Sequence, residues 1–163
     1  MIFETHAHYD DEKFDGDREE LIAELPEAGI GHVINVGASI DSTKTTLELV
    51  KKHDFMYAAV GVHPSDVDGL NEETFAWLAE QTRLDKTVAV GEIGLDYYWD
   101  KEPEVQKNQR IWFQKQMELA RKADLPVIIH SRDAAEDTMR IMKEVHAEEI
   151  PGVIHCYSYS PEM

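Results

Sequence analysis

The chain has 163 residues, 42% hydrophobic and 30% charged, a balance that fits one soluble globular domain and excludes a disordered chain. Its formal net charge of −17 argues against a broad basic face that grips duplex nucleic acid. No apolar run reaches membrane-helix length and no basic, apolar signal opens the chain. The single Cys156 offers no internal disulfide, so a reducing, cytoplasmic setting is expected.

The predicted elements alternate strand and helix from the first residue onward. Met1 to His8 begins apolar and ends in Thr5-His6-Ala7-His8, the first strand. Asp15 to Ala28 carries Leu21, Ile22, Leu25 and Ala28 at helical spacing; Pro26 ends or kinks the last turn and Gly29 stops it. Gly31 to Gly37 is the second strand. Asp41 is predicted to cap a helix buried through Leu47, Leu49 and Val50. Asp54 to His63 supplies the third strand, and Asn71 opens a helix with Phe75, Leu78 and Ala79 inside. Val88 to Glu92 is the fourth strand. A long helix follows, with Pro103 in its first turn and a stripe through Val105, Trp112, Met117 and Ala120. Pro126 to His130 is the fifth strand, Asp133 caps the next helix, and Ala135, Met139 and Met142 face inward. Gly152 to His155 is the sixth strand, and Ser160-Pro161-Glu162 reads as the opening of another helix.

Short apolar strands that each stop on an imidazole or carboxylate, with helices between, describe a parallel sheet whose chemistry gathers at the strand C-termini. Six β/α units are countable, so the fold class is α/β, a TIM (β/α)8-type barrel of which about six units are present. Residues 1–163 read as a single incomplete barrel domain. Its first and sixth strands would be open edges, which predicts poor stability or self-association through those edges.

His6 and His8 are two apart on a strand, so both leave the same face and reach one metal. Glu4 shares that face one pleat earlier and is placed to orient a ligand histidine. Glu92 ends a strand, and its two oxygens suit a carboxylate that bridges two cations about 3.5–4 Å apart. His130 and His155 would complete the second cation site with Glu92. His63 has two readings, contact with substrate phosphate or the metals, and capping of its own loop. Arg132 either holds a phosphate oxygen or pairs with Asp133 or Glu136. Tyr97, Tyr98 and Trp99 follow Glu92 on the mouth loop, where aromatic rings either stack on bases or pack across the barrel top. Cys156 is expected to pack between barrel and helices. His32, His53 and His146 lie away from the predicted active face.

Taken together the residues resemble the TatD family of metal-dependent deoxyribonucleases, within the amidohydrolase-like barrels. The resemblance runs through all 163 residues. It rests on Thr5-His6-Ala7-His8, on Asp10, Phe14 and Asp17, and on Val60-Gly61-Val62-His63-Pro64. Gly91-Glu92-Ile93-Gly94-Leu95-Asp96-Tyr97-Tyr98, Pro126 to Ala134 and Gly152 to Cys156 complete it. The resemblance implies a hydrolase of DNA phosphodiesters, on single-stranded substrate, with two divalent metal ions (Zn, Mn or Mg) held by His6, His8, Glu92, His130 and His155. His63, Arg132 and Tyr97 are the candidate substrate contacts, each with the alternative given above. Glu4 stands where the family usually has Asp, and Tyr157 and Tyr159 stand for a more usual Phe and Gly. Family members continue for roughly another third of their length and supply a catalytic aspartate from the final strand. No residue here fills that role, so this chain by itself is expected to be weak or inactive. The alternatives are ester or amide hydrolysis on the same metal site, and a metal-binding barrel without turnover.

Overall fold

A computed structural model describes residues 1–163. Six strands form one sheet in the order β1-β2-β3-β4-β5-β6, every neighbouring pair parallel. They are β1 Ile2–Ala7, β2 Ile30–Val36, β3 Met56–Val60, β4 Thr87–Asp96, β5 Val127–Arg132 and β6 Gly152–Ile154. The helices between them are α1 Arg18–Glu24, α2 Ile40–Lys52, α3 Glu72–Gln81, α4 Pro103–Ala123 and α5 Ala135–Glu144. A flat sheet of six strands would hold β1 about 24 Å from β6. Instead the ring of His6, on β1, stacks on that of His155, just past β6, with centroids 4.4 Å apart. The sheet therefore curls into an open barrel whose strand C-termini converge.

Two apolar clusters fasten the helices to the outside of this arc. One joins Ile22, Leu47, Leu49, Val50 and Leu78 to Val33, Met56, Ala58 and Val60. The other joins Phe113, Met117, Ala120 and Ile141 to Val90, Ile93, Val127 and Ile129. Alternate residues of the same strands, Val36, Ala59, Ala89 and Ile128, form a smaller cluster on the inner side.

The helix ends refine the sequence reading. α1 stops at Glu24, before Pro26, whose missing N–H cannot continue the ladder. α2 is capped by Ser39, which accepts from the Ser42 amide at 3.0 Å, so Asp41 is a first-turn acid and not the cap. Asn71 caps α3 as expected, in a reciprocal box with Thr74. Asp133 does not cap α5: it has a positive φ of 53°, and the Tyr159 hydroxyl accepts the Ala134 amide at 3.1 Å instead. The buried side of α5 runs through Thr138 and Ile141, with Met139 and Met142 only partly covered. Ser160 to Met163 form a turn and not a helix. No helix is long and apolar enough to cross a membrane.

Candidate metal centre

β4 runs four residues past the expected stop at Glu92, and this extension builds the centre. Glu92 and Asp96 share one strand face and are both buried, 4% and 1% exposed. Between them Gly94 has a φ of +143°, and a Cβ there would overlap the His130 carbonyl, so β4 and β5 approach closely only because this residue is glycine.

Every ion-pair partner of Glu92 is a histidine. His6 Nε2 and His8 Nε2 lie 3.2 and 3.5 Å from Oε2. His155 Nε2 and His130 Nδ1 lie 2.5 and 3.1 Å from Oε1, with His63 Nε2 at 3.9 Å. The two carboxylate oxygens therefore face separate histidine sets, as a bridging ligand does. His6, Glu92 and His155 bring one donor atom each within 4.8 Å of one another, and so do His63, Glu92 and His130. No arginine or lysine neutralises Glu92. A buried carboxylate ringed by imidazoles alone is a donor set that a divalent cation fits.

Hydrogen bonds outside the cluster set the imidazole tautomers. His8 Nδ1 lies 2.8 Å from the Val36 carbonyl and donates to it, so Nε2 is the nitrogen that titrates: it donates to Glu92 in the imidazolium and carries the lone pair in the neutral ring. His63 is the reverse case. Its Nδ1 accepts the Ser65 amide at 3.2 Å, so the neutral ring carries its proton on Nε2, facing Glu92 as a donor. Burial, with the neighbouring His130 charge, pushes the His63 pKa down to about 4 and keeps that ring neutral. His63 thus caps its own turn and also borders the centre.

Glu92 is held far below the usual carboxylate range: burial opposes ionisation, and hydrogen bonds from His130, His155, His6 and His8 overcome it. His8 is raised above 6.5, first by its hydrogen bond to Glu92. His130 is raised too, because bonds to Glu92 and Asp96 outweigh burial. Its Nε2 lies 2.9 Å from Asp96 Oδ2, a contact absent from the site residues read from sequence. The signal was present as Glu92-x-Gly94-x-Asp96, a period of two that a strand ending at Glu92 conceals.

Other expectations are corrected. Tyr97 turns to the outer layer: its hydroxyl donates to Asp137 at 2.7 Å and accepts from Arg110 at 2.9 Å, so it is not a mouth residue. Arg132 pairs with neither Asp133 nor Glu136 but lies over the Tyr98 ring, 3.8 Å from its centroid. Cys156 is exposed, with a φ of 48°, and does not pack between barrel and helices. Glu4 accepts the backbone amide of His6 at 3.0 Å and so steadies the strand, not an imidazole. A cleft of about 790 Å³ opens beside His8, His63 and Glu92, with Asp10, Asp11, Glu12, Asp41 and Asp66 along its walls.

The family described as TatD related DNase matches residues 3–163. The chain is 42% identical to the "Uncharacterized metal-dependent hydrolase YabD" of Bacillus subtilis (strain 168), covering all of this chain and 63% of that protein. It is 28% identical to the "3'-5' ssDNA/RNA exonuclease TatD" of Cronobacter sakazakii (strain ATCC BAA-894), over 96% of this chain and 59% of that one. The crystal structure of YJJV, a TatD homologue from Escherichia coli K12, superposes with a TM-score of 0.86 at 32% identity, covering 98% of this chain and 61% of that one. The chain thus spans about three-fifths of the length of these relatives. A match across nearly every residue, on a six-stranded parallel arc with a histidine-ringed glutamate at its mouth, leaves one assignment: the chain belongs to the TatD-related DNase family.

Proposed function

We propose that the protein hydrolyses phosphodiester bonds of single-stranded nucleic acid at a centre of two divalent cations, Zn, Mn or Mg. His6, His8, Glu92, His130 and His155 would hold them, in a single incomplete barrel domain over residues 1–163 and in a cytoplasmic setting. The division of Glu92, one oxygen toward His6 and His8 and the other toward His130 and His155, carries this reading. When bound, the cations supply Lewis-acid polarisation and acidify water. The chain supplies the rest. Val36 fixes the His8 tautomer and Asp96 orients His130. His63 presents an N–H at the edge of the cleft, suited to a phosphate oxygen. Relatives named as exonucleases support the substrate class.

One observation favours a second reading. Six carboxylates, Glu92 among them, line the cleft against one lysine, Lys13, a field that repels a long polyanion and tolerates a neutral ester. The two are separated by incubating the product of the complete reading frame containing these residues with single-stranded DNA and with p-nitrophenyl acetate, in Zn, Mn or Mg. Release of nucleotides without ester turnover is the expected result. Ester turnover without nucleotide release would transfer the assignment to a small-molecule esterase.

A further inference from the structure

Beyond the metal centre, the mouth of the arc carries two exposed aromatic rings and a cation with no anionic partner. Tyr98 and Trp99 are 41% and 68% exposed and meet edge to face, centroids 4.7 Å apart. The Arg132 guanidinium lies 3.8 Å from the Tyr98 centroid and 5.6 Å from that of Trp99. Acidic side chains outnumber Lys and Arg by 33 to 16, yet Arg132 makes no ion pair. Stacking fixes the planar group while its N–H edge stays free for an incoming anion.

The position of this group follows from strand parity. Arg132 follows His130 by two residues on β5, on the same face and about 6.6 Å further along the strand. Asp96 faces it across the ladder. The Asp96 carboxylate ties the two regions together. Its Oδ2 meets His130, and its Oδ1 accepts the backbone amides of Tyr98 and Trp99 at 3.0 and 3.1 Å. Gln109, fully buried on α4, bonds both the amide and the carbonyl of Asp96 and makes that support rigid.

We infer that Tyr98, Trp99 and Arg132 form a nucleotide subsite, in which a base stacks on Trp99 and the adjoining phosphate meets Arg132. Asp96 acts as the positioning residue that sets this platform in register with the metal centre. This deepens the phosphodiesterase reading and rests on it. Base stacking on an exposed aromatic ring is tolerant of sequence, so the subsite recognises a flexible single strand by its nucleobases and not by their order.

The test compares two labelled five-unit oligomers by fluorescence anisotropy with the full protein in EDTA: oligothymidylate and its abasic phosphodiester counterpart. The expected result is about 10-fold tighter binding of the base-bearing oligomer. Trp99→Ala should remove that preference, and Arg132→Gln should weaken both oligomers about 10-fold. Unchanged Mn binding in each variant verifies the fold. Equal affinity for the two oligomers, no binding of either, or a preference that survives Trp99→Ala would overturn the subsite. Cleavage of the abasic oligomer by the unaltered protein with Mn separates the two ideas. Cleavage without base preference removes the subsite and keeps the phosphodiesterase. Base preference in EDTA with neither oligomer cut keeps the platform and removes the phosphodiesterase.

Discussion

Gly94 lies against the carbonyl of His130, with a φ of +143° and no room for a Cβ. The contact joins β4 to β5 at the point where Glu92, Asp96 and His130 meet. Gly94→Ala should therefore push the strands apart and destabilise the protein by about 2–4 kcal/mol. Urea denaturation would show it as a lower midpoint, with weaker cation binding alongside. A midpoint within about 0.5 kcal/mol of the parent would contradict the packing described.

Glu92→Gln preserves shape and removes the charge that faces both histidine sets. Cation stoichiometry by calorimetry should fall, and phosphodiester cleavage by the full-length protein should drop about 100-fold or more. Near-normal turnover at saturating metal would remove Glu92 from the bridging role.

Asp96→Asn leaves hydrogen-bonding capacity but no anion beside His130 Nε2. Affinity for the cation should fall about 10- to 100-fold, the usual cost of losing such an outer partner. Near-UV circular dichroism of Tyr98 and Trp99 should change too, because the same carboxylate holds their amides. Unaltered affinity and spectrum together would deny Asp96 its double function.

Acidity offers a further check. His8 and His130 have folded pKa values above 6.5, set by Glu92 and, for His130, by Asp96 as well. For raised groups the stabilisation is complete below the unfolded value and fades as pH rises through the folded one. His63, pushed down to about 4, contributes in the opposite sense, so with that contribution removed by His63→Gln the metal-free chain should be less stable at about pH 8 than at about pH 6. Cation affinity should move the opposite way, rising with pH as imidazole protons leave, with proton release visible in buffers of different ionisation enthalpy. A metal-free His63→Gln midpoint that climbs between these two pH values would refute the assignment.

β1 and β6 each keep one side without a strand neighbour, and Ile2, Phe3 and Val153 are 58%, 55% and 53% exposed. The 163-residue chain should self-associate at micromolar concentration, since open edges pair with other edges. Sedimentation would report species above the 18.6 kDa monomer. A clean, stable monomer would show that the edges are better protected than their exposure suggests.

Much of this was legible because buried strands announce themselves as short Val- and Ile-rich runs, and histidine or glutamate at their ends stands out against them. His6, His8, Glu92, His130 and His155 converge as that pattern predicts. Asp96 drops out of the site when the strand is read to stop at Glu92, whereas Gly94 lets β4 continue past it. Tyr97 departs from its expected place because its ring turns to Asp137 in the outer layer, while Tyr98 and Trp99, in the turn after β4, stay exposed. The cap of α5 lay beyond local reading, since Tyr159 reaches Ala134 from 25 residues away.

His6 on β1 and His155 just past β6 touch one another across the full run of six strands. Two cations bridged by Glu92 would clasp β1 to the residues just past β6, closing the segment between His6 and His155 into one loop. Such a site cannot assemble from any early portion of the protein, because its histidines and glutamate come from strands made at different times. Metal binding at such a centre would then favour the correctly folded arc over its alternatives. A misregistered or half-built arc presents scattered imidazoles, and only a correctly curled one retains the ion.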